Sequence, residues 1–561
     1  MPDLQPYYPS SDTLLNLEFL INGVNTGLDV LLKEATIQFE LNRIPMAKFT
    51  FVDAANHVEE EEELPINSLT RNAGDPPIAI EVKVNFEGSN ETIFKGIIKS
   101  LDKRIEGEQI TAKVECKDIA LQLTQSSSEE ENNNQTFGDK LILFTRDLTV
   151  SDNLTNQPWS EEQITHNTST TSWDYLIGFL DSIGMMVALR NTEFTGIDIL
   201  NTDHEPSYKA ENGINVFTFN GRIDPERRRS SVTIERWDIE SQSVSRVSSE
   251  QNADENPHTV RVSQTSLQES TLERIANATL ERSNIAAIQG RVTTFGNLSA
   301  KLGDYITFSK VNNDIDDIPL LISQEVHSFE NGCWKTEYTF GLESERSFTE
   351  STSPGVNNTQ AQIGQSNTLN GLQIGVVTQI EEDPNNQFRI KVRIPILSEN
   401  GEGIWARLAT LNASNETGSF FIPDVDDEVI VGCIGNNPDT PVVLGCLYSS
   451  NKPMPFPIDA NNYKKGFVTK EGTRIVIDGE TKSIEISTND GNKVLISDDQ
   501  KGITLEDANS NKVILNDRGI TIESCKDLNI KANGNIKVEG MQTGIEASSQ
   551  LELKGSIINL N

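Results

Sequence analysis

The side chains able to do chemistry are few and scattered. Histidines stand at His57, His166, His204, His258 and His327. None makes an HxxxH pair or joins a cysteine cluster, so the spacing of a zinc centre is missing. His327, in Val326-His327-Ser328-Phe329, reads as a strand residue rather than a ligand. His57 precedes an acidic run from Glu59 to Glu63 that reads as an exposed loop. The cysteines (Cys116, Cys333, Cys433, Cys446, Cys525) form no CxxC pair and no disulfide framework. Cys433 and Cys446 are near enough in sequence for one hairpin, but their apolar runs mark them as buried thiols. No phosphate-cradling GxxxxGK[ST], no GxSxG nucleophile turn and no calcium-binding glycine-rich nonapeptide occurs. The 84 acidic residues supply many carboxylate pairs, yet no context selects one for glycoside hydrolysis. Neither an enzyme nor a bound cofactor or metal is expected.

One cluster carries a different chemistry. Arg389, Lys391, Arg393 and Arg407 lie near Phe388 and Trp405, the ingredients of a groove that stacks bases and tracks phosphates. Glu381, Glu382, Asp426, Asp427 and Glu428 surround them and oppose that field. The formal charge of -37 also argues against nucleic acid and against an anionic membrane surface. Arg407 reads as a partner of Asp427 or Glu428, or as an ordinary surface charge.

The elements that must position these groups are mostly strands. At 561 residues and 36% hydrophobic content the chain has enough for several cores. Alternation marks strands at Thr36–Leu41, Ala47–Asp53, Ile78–Val84 and Thr111–Cys116, and later at Asp304–Phe308 and Cys333–Phe340. Two helices interrupt them. One opens at Ser172, turns Trp173, Leu176, Ile177, Leu180 and Ile183 inward, and ends at Gly184. The other begins near Ser266, with Glu269 completing a capping box and Leu272, Ile275, Ala276, Thr279 and Leu280 inside. Residues 1–346 therefore read as an α+β region of one or two subdomains. A polar linker follows at 347–370, then a strand-rich unit at 371–450 whose length and strand number suit an OB-type barrel. The proline-rich connector 451–466 leads to a repetitive β segment, 467–561.

That last segment repeats. Arg474–Asp478, Lys493–Ser497 and Lys512–Asn516 begin 19 residues apart. Ser483–Ile486, Gly502–Glu506, Gly519–Glu523, Leu528–Lys531 and Asn535–Val538 read as further strands, with turns or corners at Gly472, Gly491, Gly502, Gly519, Gly534, Gly540 and Gly544. Each strand has a thin apolar stripe on one face, and no aromatic residue after Phe467 and no helix covers it. Another copy of the chain is the simplest cover. The winding is open between hairpins stacked along a three-sided prism and a single-chain parallel β-helix. An exposed aromatic or amide groove would mark a surface-binding fibre or adhesin; the absence of Trp and Tyr from this segment weakens that alternative.

The barrel's residues carry a resemblance. They run Gly375-Val376, Asp383-Pro384, Arg389 through Pro395, Trp405-Ala406-Arg407, Gly418 through Pro423, Val425-Asp426-Asp427-Glu428-Val429, and Pro441-Val442-Val443-Leu444-Gly445 to Tyr448. In this order the set resembles the OB-like barrel of VgrG-type spike proteins of contractile injection machines. Weaker matches at Phe94–Ile97, Ile234–Asp238, Leu302–Asp304, Val326-His327 and Trp334–Thr336 make the front resemble a phage baseplate hub. The resemblance implies a multidomain, mainly β protein: a hub-like α+β body, an OB-like barrel and a C-terminal trimeric β-helical or β-prism needle. It implies a homotrimer joined to inner-tube and baseplate proteins, a tip-capping protein over an apolar end near Asn561, room for effector cargo, and transient contact with a target envelope. The signature residues are expected to act architecturally: Gly375, Gly418 and Gly445 at bends or close approaches, Pro395, Pro423 and Pro441 at strand ends or turns, Trp405 as an apolar anchor. Only 451–466 separates barrel from needle, too little for the cell-wall-cutting enzyme some hub proteins carry there. The start, Met1-Pro2-Asp3-Leu4, lacks a signal-peptide pattern and no stretch reaches membrane-spanning length. Synthesis in a bacterial cytoplasm is expected, followed by assembly into a contractile particle or secretion apparatus and delivery outside the cell.

Overall fold

The computed structural model describes residues 4–6, 15–54, 65–71, 75–86, 89–107, 109–125, 135–166, 170–201, 204–251, 256–262, 265–349, 369–398 and 400–559. His57, the acidic run after it and most of the expected linker lie outside these residues. Two units are present, Met1–Leu447 and Tyr448–Asn561.

In the first unit a 13-stranded sheet is assembled from two distant parts of the chain, the strands of 16–117 and those of 206–340. The seam is the antiparallel pair Leu32–Glu40 and Leu320–Glu330, with His327 opposite Ile37. Alternation dictates the buried face: in Gln109–Lys117, Ile110, Ala112, Val114 and Cys116 point inward between exposed or half-exposed neighbours. Phe19 meets Phe49 and Phe51 edge-on at 5.2 and 5.3 Å in this core.

A helical layer covers part of the sheet. Ser172–Ser182 forms as the spacing predicts, its end capped at Thr171, whose hydroxyl accepts the Asp174 N–H, and its exit made by Gly184 at φ +79°. The helix Phe137–Phe144, which the sequence reading missed, carries a Thr136–Asp139 capping box. The third helix differs from expectation. It spans Glu269–Ala286, and Ser266 is not its cap. Glu162, from a separate segment, takes that role: its buried carboxylate accepts the Gln268 N–H and the Thr271 hydroxyl. A carboxylate there satisfies helix-end donors and complements the helix dipole. Small three-stranded sheets, Thr149–Val150 with Met185–Arg190 and Glu193–Asp198, and Ser231–Asp238 with Ser243–Glu250 and Pro257–Val262, complete the layer.

The closed barrel has the order Leu372–Gln379, Ile390–Arg393, Ile404–Leu408, Pro441–Cys446, Glu428–Cys433 and back to the first. Val377, Ile390, Val392, Ala406, Val429, Val431 and Val443 fill it.

In the second unit seven strands pair in succession, all antiparallel, from Lys464–Val468 to Gly519–Glu523. This meander of hairpins, not a single-chain parallel coil, is the winding within residues 464–523. Every second turn falls at a 19-residue step: Gly472 (φ +86°), Gly491 (φ +96°) and then Ser510 (φ +70°), a side chain in the left-handed region that glycine prefers. Gly502 is no turn: it lies in a strand, where a Cβ would stand 2.2 Å from the Leu515 carbonyl oxygen. Leu528–Lys531 and Asn535–Val538, expected as strands, join no ladder. After Glu523, Asn511 Oδ1 accepts the Cys525 N–H at 2.9 Å and draws the chain off the last strand's edge.

Candidate functional site

The residues singled out in the sequence gather around the barrel and its contact with the helical layer. Gly375 has no alternative: a Cβ would stand 2.5 Å from Val392 Cγ1 and 3.0 Å from Val431 Cγ2. Gly418 likewise faces the Asn412 carbonyl oxygen, 2.4 Å from where a Cβ would lie. Gly445 stands at a bend rather than at a close approach. Nothing lies within 4 Å of its would-be Cβ; it follows Leu444, the extra residue where the register shifts between Ile430 and Val431. That bulge turns Leu444 outward. Pro395 stands in the turn after Ile390–Arg393, closed by Leu397 N–H to the Ile394 carbonyl at 2.9 Å. Pro441 opens its strand, Pro423 is buried before the turn that leads into Glu428–Cys433, and Tyr448 is exposed.

Ala406 and Val429 point into the barrel, so Trp405 and Arg407, neighbours of Ala406 in the strand, point out. Trp405 is half-buried, with Lys391 Nζ 6.0 Å from its ring centre. It is an anchor outside the barrel rather than in its core: with Pro384, Arg389 and Gly403 it lines a cleft whose other wall is Glu161, Glu162 and Thr165 of the helical layer. Asp439 crosses that boundary, accepting the Thr165 N–H at 2.9 Å.

Two of the four cations in the cluster are held by carboxylates. Asp383 holds Arg389, and Glu402 holds Lys391 at 2.8 Å. Arg407 is exposed and makes no ion pair with Asp427 or Glu428 among the described residues; Asp427 Oδ2 accepts the Asp424 N–H at 3.0 Å, and Glu428 lies across from Val376 in the next strand. Phe388 is 94% exposed, whereas Trp405 faces the helical layer. A positive groove with stacking rings on one face is not assembled.

The remaining reactive groups are dispersed. Cys116 is buried, but Cys446 is exposed and Cys433 half-buried, a correction to their reading as enclosed thiols. They sit at opposite ends of one antiparallel pair, Cys433 beside Pro441 and Cys446 beside Val429. Burial, and then Asp439, push the Cys433 thiol up to about 12. His166 is enclosed by Phe144 and Tyr175 and bonds the Thr170 carbonyl. Among the described residues no group of three His, Cys, Asp or Glu side chains is placed to hold a metal ion, and no helix is long and apolar enough to cross a membrane.

The meander presents apolar side chains in ordered rows. In-register pairing aligns Phe467, Ile475, Ile486, Val494, Leu505, Val513 and Ile522 in one row. A second row on the same face joins Ile477, Ile484, Ile496, Ile503, Leu515 and Ile520. The opposite face carries Arg474, Lys493, Glu506, Lys512 and Glu523 in one row, with Lys493 2.8 Å from Glu485 and Lys512 3.0 Å from Glu506. Most residues of the apolar rows remain substantially exposed within one chain, up to 72% for Ile520. Adjacent apolar rows of this extent mark an interaction surface.

Comparison with known proteins follows this division. Residues 373–448 match the type VI secretion system/phage-baseplate injector OB domain. Residues 483–556 match the phage baseplate V C-terminal trimerisation domain. The chain thus resembles the VgrG and phage-tail spike proteins of injection systems. Residues 11–314, more than half of its length, match the family described as the Alg8 N-terminal domain, and the chain belongs to that family. It is 38% identical over 63 residues to the type VI secretion system spike protein VgrG4b of Pseudomonas aeruginosa, covering 11% of this chain and 8% of that protein. With VgrG5 of the same organism it shares 33% over 72 residues, 13% of this chain and 9% of that one. These alignments span less than a tenth of either relative's length. In fold, it is similar to a chain of the Francisella PdpA-VgrG complex, half-lidded, with a TM-score of 0.53 at 13% identity over 91% of this chain and 88% of that one. A chain of the lidless PdpA-VgrG complex gives 0.53 at 12% identity, covering 91% and 98%.

Proposed function

We propose that this chain is the non-enzymatic central spike of a contractile injection machine and works as a homotrimer. The observation that carries this reading is the pair of uncovered apolar rows on the meander, backed by a charged row. Burying apolar surface contributes about 25 cal/mol per Å², so a long strip of Ile, Val and Leu favours association strongly. Three copies facing inward would enclose the rows and leave Lys and Glu in water. The match of 483–556 to a trimerisation domain supports that number.

In this proposal residues 1–346 attach to inner-tube and baseplate proteins, 371–450 forms a collar after the linker 347–370, and 467–561 beyond the connector 451–466 forms the rigid needle. The barrel's signature residues, from Gly375 to Tyr448, hold that collar's shape. Sheath contraction supplies force, and the needle, with a tip protein or cargo, meets the target envelope after leaving the cell of origin. Light scattering coupled to size exclusion on the full-length protein tests it. A mass of three times 62.1 kDa is expected. A stable monomer overturns the trimer and favours a single-chain surface-binding fibre.

A further inference from the structure

The cleft between the barrel and the helical layer carries a chemistry that the proposed function leaves unused. Its volume is about 310 Å³, the size of a small-ligand site. Three carboxylates line it, Glu161 and Glu162 from the helical layer and Asp439 from the barrel. Against them stands one guanidinium, that of Arg389, which Asp383 already holds at 2.7 Å. The cleft is therefore anionic.

Glu162 gives that charge a target. It is only 3% exposed. The Gln268 N–H and the Thr271 hydroxyl both converge on its Oε1, and Oε2 takes no hydrogen bond or ion pair among the described residues. A carboxylate oxygen has lone pairs to fill, and an enclosed one left without a donor is costly. Burial raises the Glu162 carboxyl above its ordinary range against the bonds from Thr271 and Gln268, and the charge of Asp439 raises it further. A cation in the cleft answers both effects.

The lining also selects the kind of cation. Among the described residues no three His, Cys, Asp or Glu side chains are gathered tightly enough to hold a metal ion. Trp405 instead supplies an aromatic wall, and indole attracts organic cations. Lys391, bound to Glu402 at 2.8 Å, lies 6.0 Å from the ring centre, at the limit of such contacts. The barrel is closed, so it offers no free strand edge to a peptide backbone. Recognition falls to a single cationic group.

The geometry points to a binding site for a primary ammonium on an alkyl stem, with the stem along Trp405 and the ammonium donating to Glu162 Oε2. Glu161 and Asp439 add to the field that draws it in. A lysine side chain of another protein and a free diamine share this chemistry.

Isothermal titration calorimetry on the full-length protein in the millimolar range tests the site, with Nα-acetyl-lysine amide and cadaverine as probes. Binding of the lysine amide assigns a lysine side chain, and binding of cadaverine alone assigns a free diamine. Acetylating the probe's Nε amine is expected to abolish binding. Glu162→Gln keeps a carbonyl oxygen for Gln268 and Thr271 but loses the charge, and Trp405→Leu loses the aromatic wall; each is expected to weaken binding about tenfold. The acetylated probe and Trp405→Leu decide the matter if the Gln variant does not fold. Binding of neither amine, equal binding of the acetylated probe, or an unchanged affinity in Trp405→Leu overturns the site.

Discussion

Asp383 grips Arg389 with both carboxylate oxygens, Nη2 lying 2.7 Å and Nε 3.1 Å from Oδ1, and Nε 3.2 Å from Oδ2. The same carboxylate accepts the N–H groups of Asn385, Gln387 and Arg389. A loop with left-handed backbone at Glu382, Asn386 and Phe388 is thereby wound around one side chain. Because this loop joins the barrel's first two strands and supplies Pro384 and Arg389 to the cleft, Asp383 sets the wall opposite the helical layer.

Asp383→Ala is expected to lower stability by about 2–3 kcal/mol, since charge-assisted bonds count for more than neutral ones and three N–H groups lose their acceptor. Burial opposes the ionised form, but the Arg389 guanidinium and the backbone donors outweigh it and hold the carboxyl well below the usual carboxylate range. The stabilisation is therefore complete above about pH 4, the unfolded value, and lost as pH falls further. Urea unfolding of both proteins at neutral pH and near about pH 3 checks both statements: the gap between them narrows with acid.

Such a carboxylate also shows where sequence reading reaches its limit. Asp383-Pro384 is legible as a marker, yet that Asp383 gathers backbone donors up to six residues away depends on a turn no periodicity reveals. The strands were legible because alternation maps directly onto burial, as in Gln109–Lys117. The joining of 16–117 to 206–340 was not, because register between distant strands leaves no local trace. Glu162 as the cap of Glu269–Ala286 was hidden for the same reason: Ser266 and Glu269 imitate a capping box locally, and a contact from over a hundred residues away wins. The ladder stops at Glu523 although Leu528–Val538 keeps its alternation: after the last strand the Cys525 N–H goes to the Asn511 side chain, a contact that period does not reveal.

Gly375 and Gly445 separate close packing from mere sequence pattern. Gly375→Ala drives a methyl into Val392 and Val431 inside a filled barrel and is expected to cost about 1–3 kcal/mol. Gly445→Ala meets open space and is expected to change stability by no more than about 0.5 kcal/mol. Thermal unfolding of the two single variants in parallel measures the difference, and equal losses would contradict the packing described.

Glu325, fully buried on Leu320–Glu330, holds the guanidinium of Arg190 from Met185–Arg190 and so ties the helical layer to the large sheet. Burial opposes its ionisation, but Arg190 and then His327 bring its carboxyl down to about 2. Glu325→Gln strands Arg190 without a counter-charge, at an expected cost of about 3 kcal/mol, typical of breaking an enclosed pair. In the unaltered protein this contribution is present above about pH 4.3, the unfolded value, and disappears as pH falls toward about 2. Denaturant midpoints followed across that range are expected to fall more steeply in the unaltered protein than in Glu325→Gln.

The two faces of the meander make opposite predictions. Ile496 lies in an apolar row, between Ile484 and Ile503 on the flanking strands. Ile496→Asp places a carboxylate where the proposed trimer excludes water, and ionised groups resist that transfer by several kcal/mol. The mass in solution is expected to fall from three times 62.1 kDa toward that of one chain. Glu506 faces the other way, paired with Lys512 at 3.0 Å and half-exposed. Glu506→Gln removes a surface ion pair worth at most about 1 kcal/mol, so the trimer persists. Light scattering on both variants at matched concentration decides between an inward apolar face and an outward one: loss of the assembly in Glu506→Gln with retention in Ile496→Asp would reverse the assignment of the two faces.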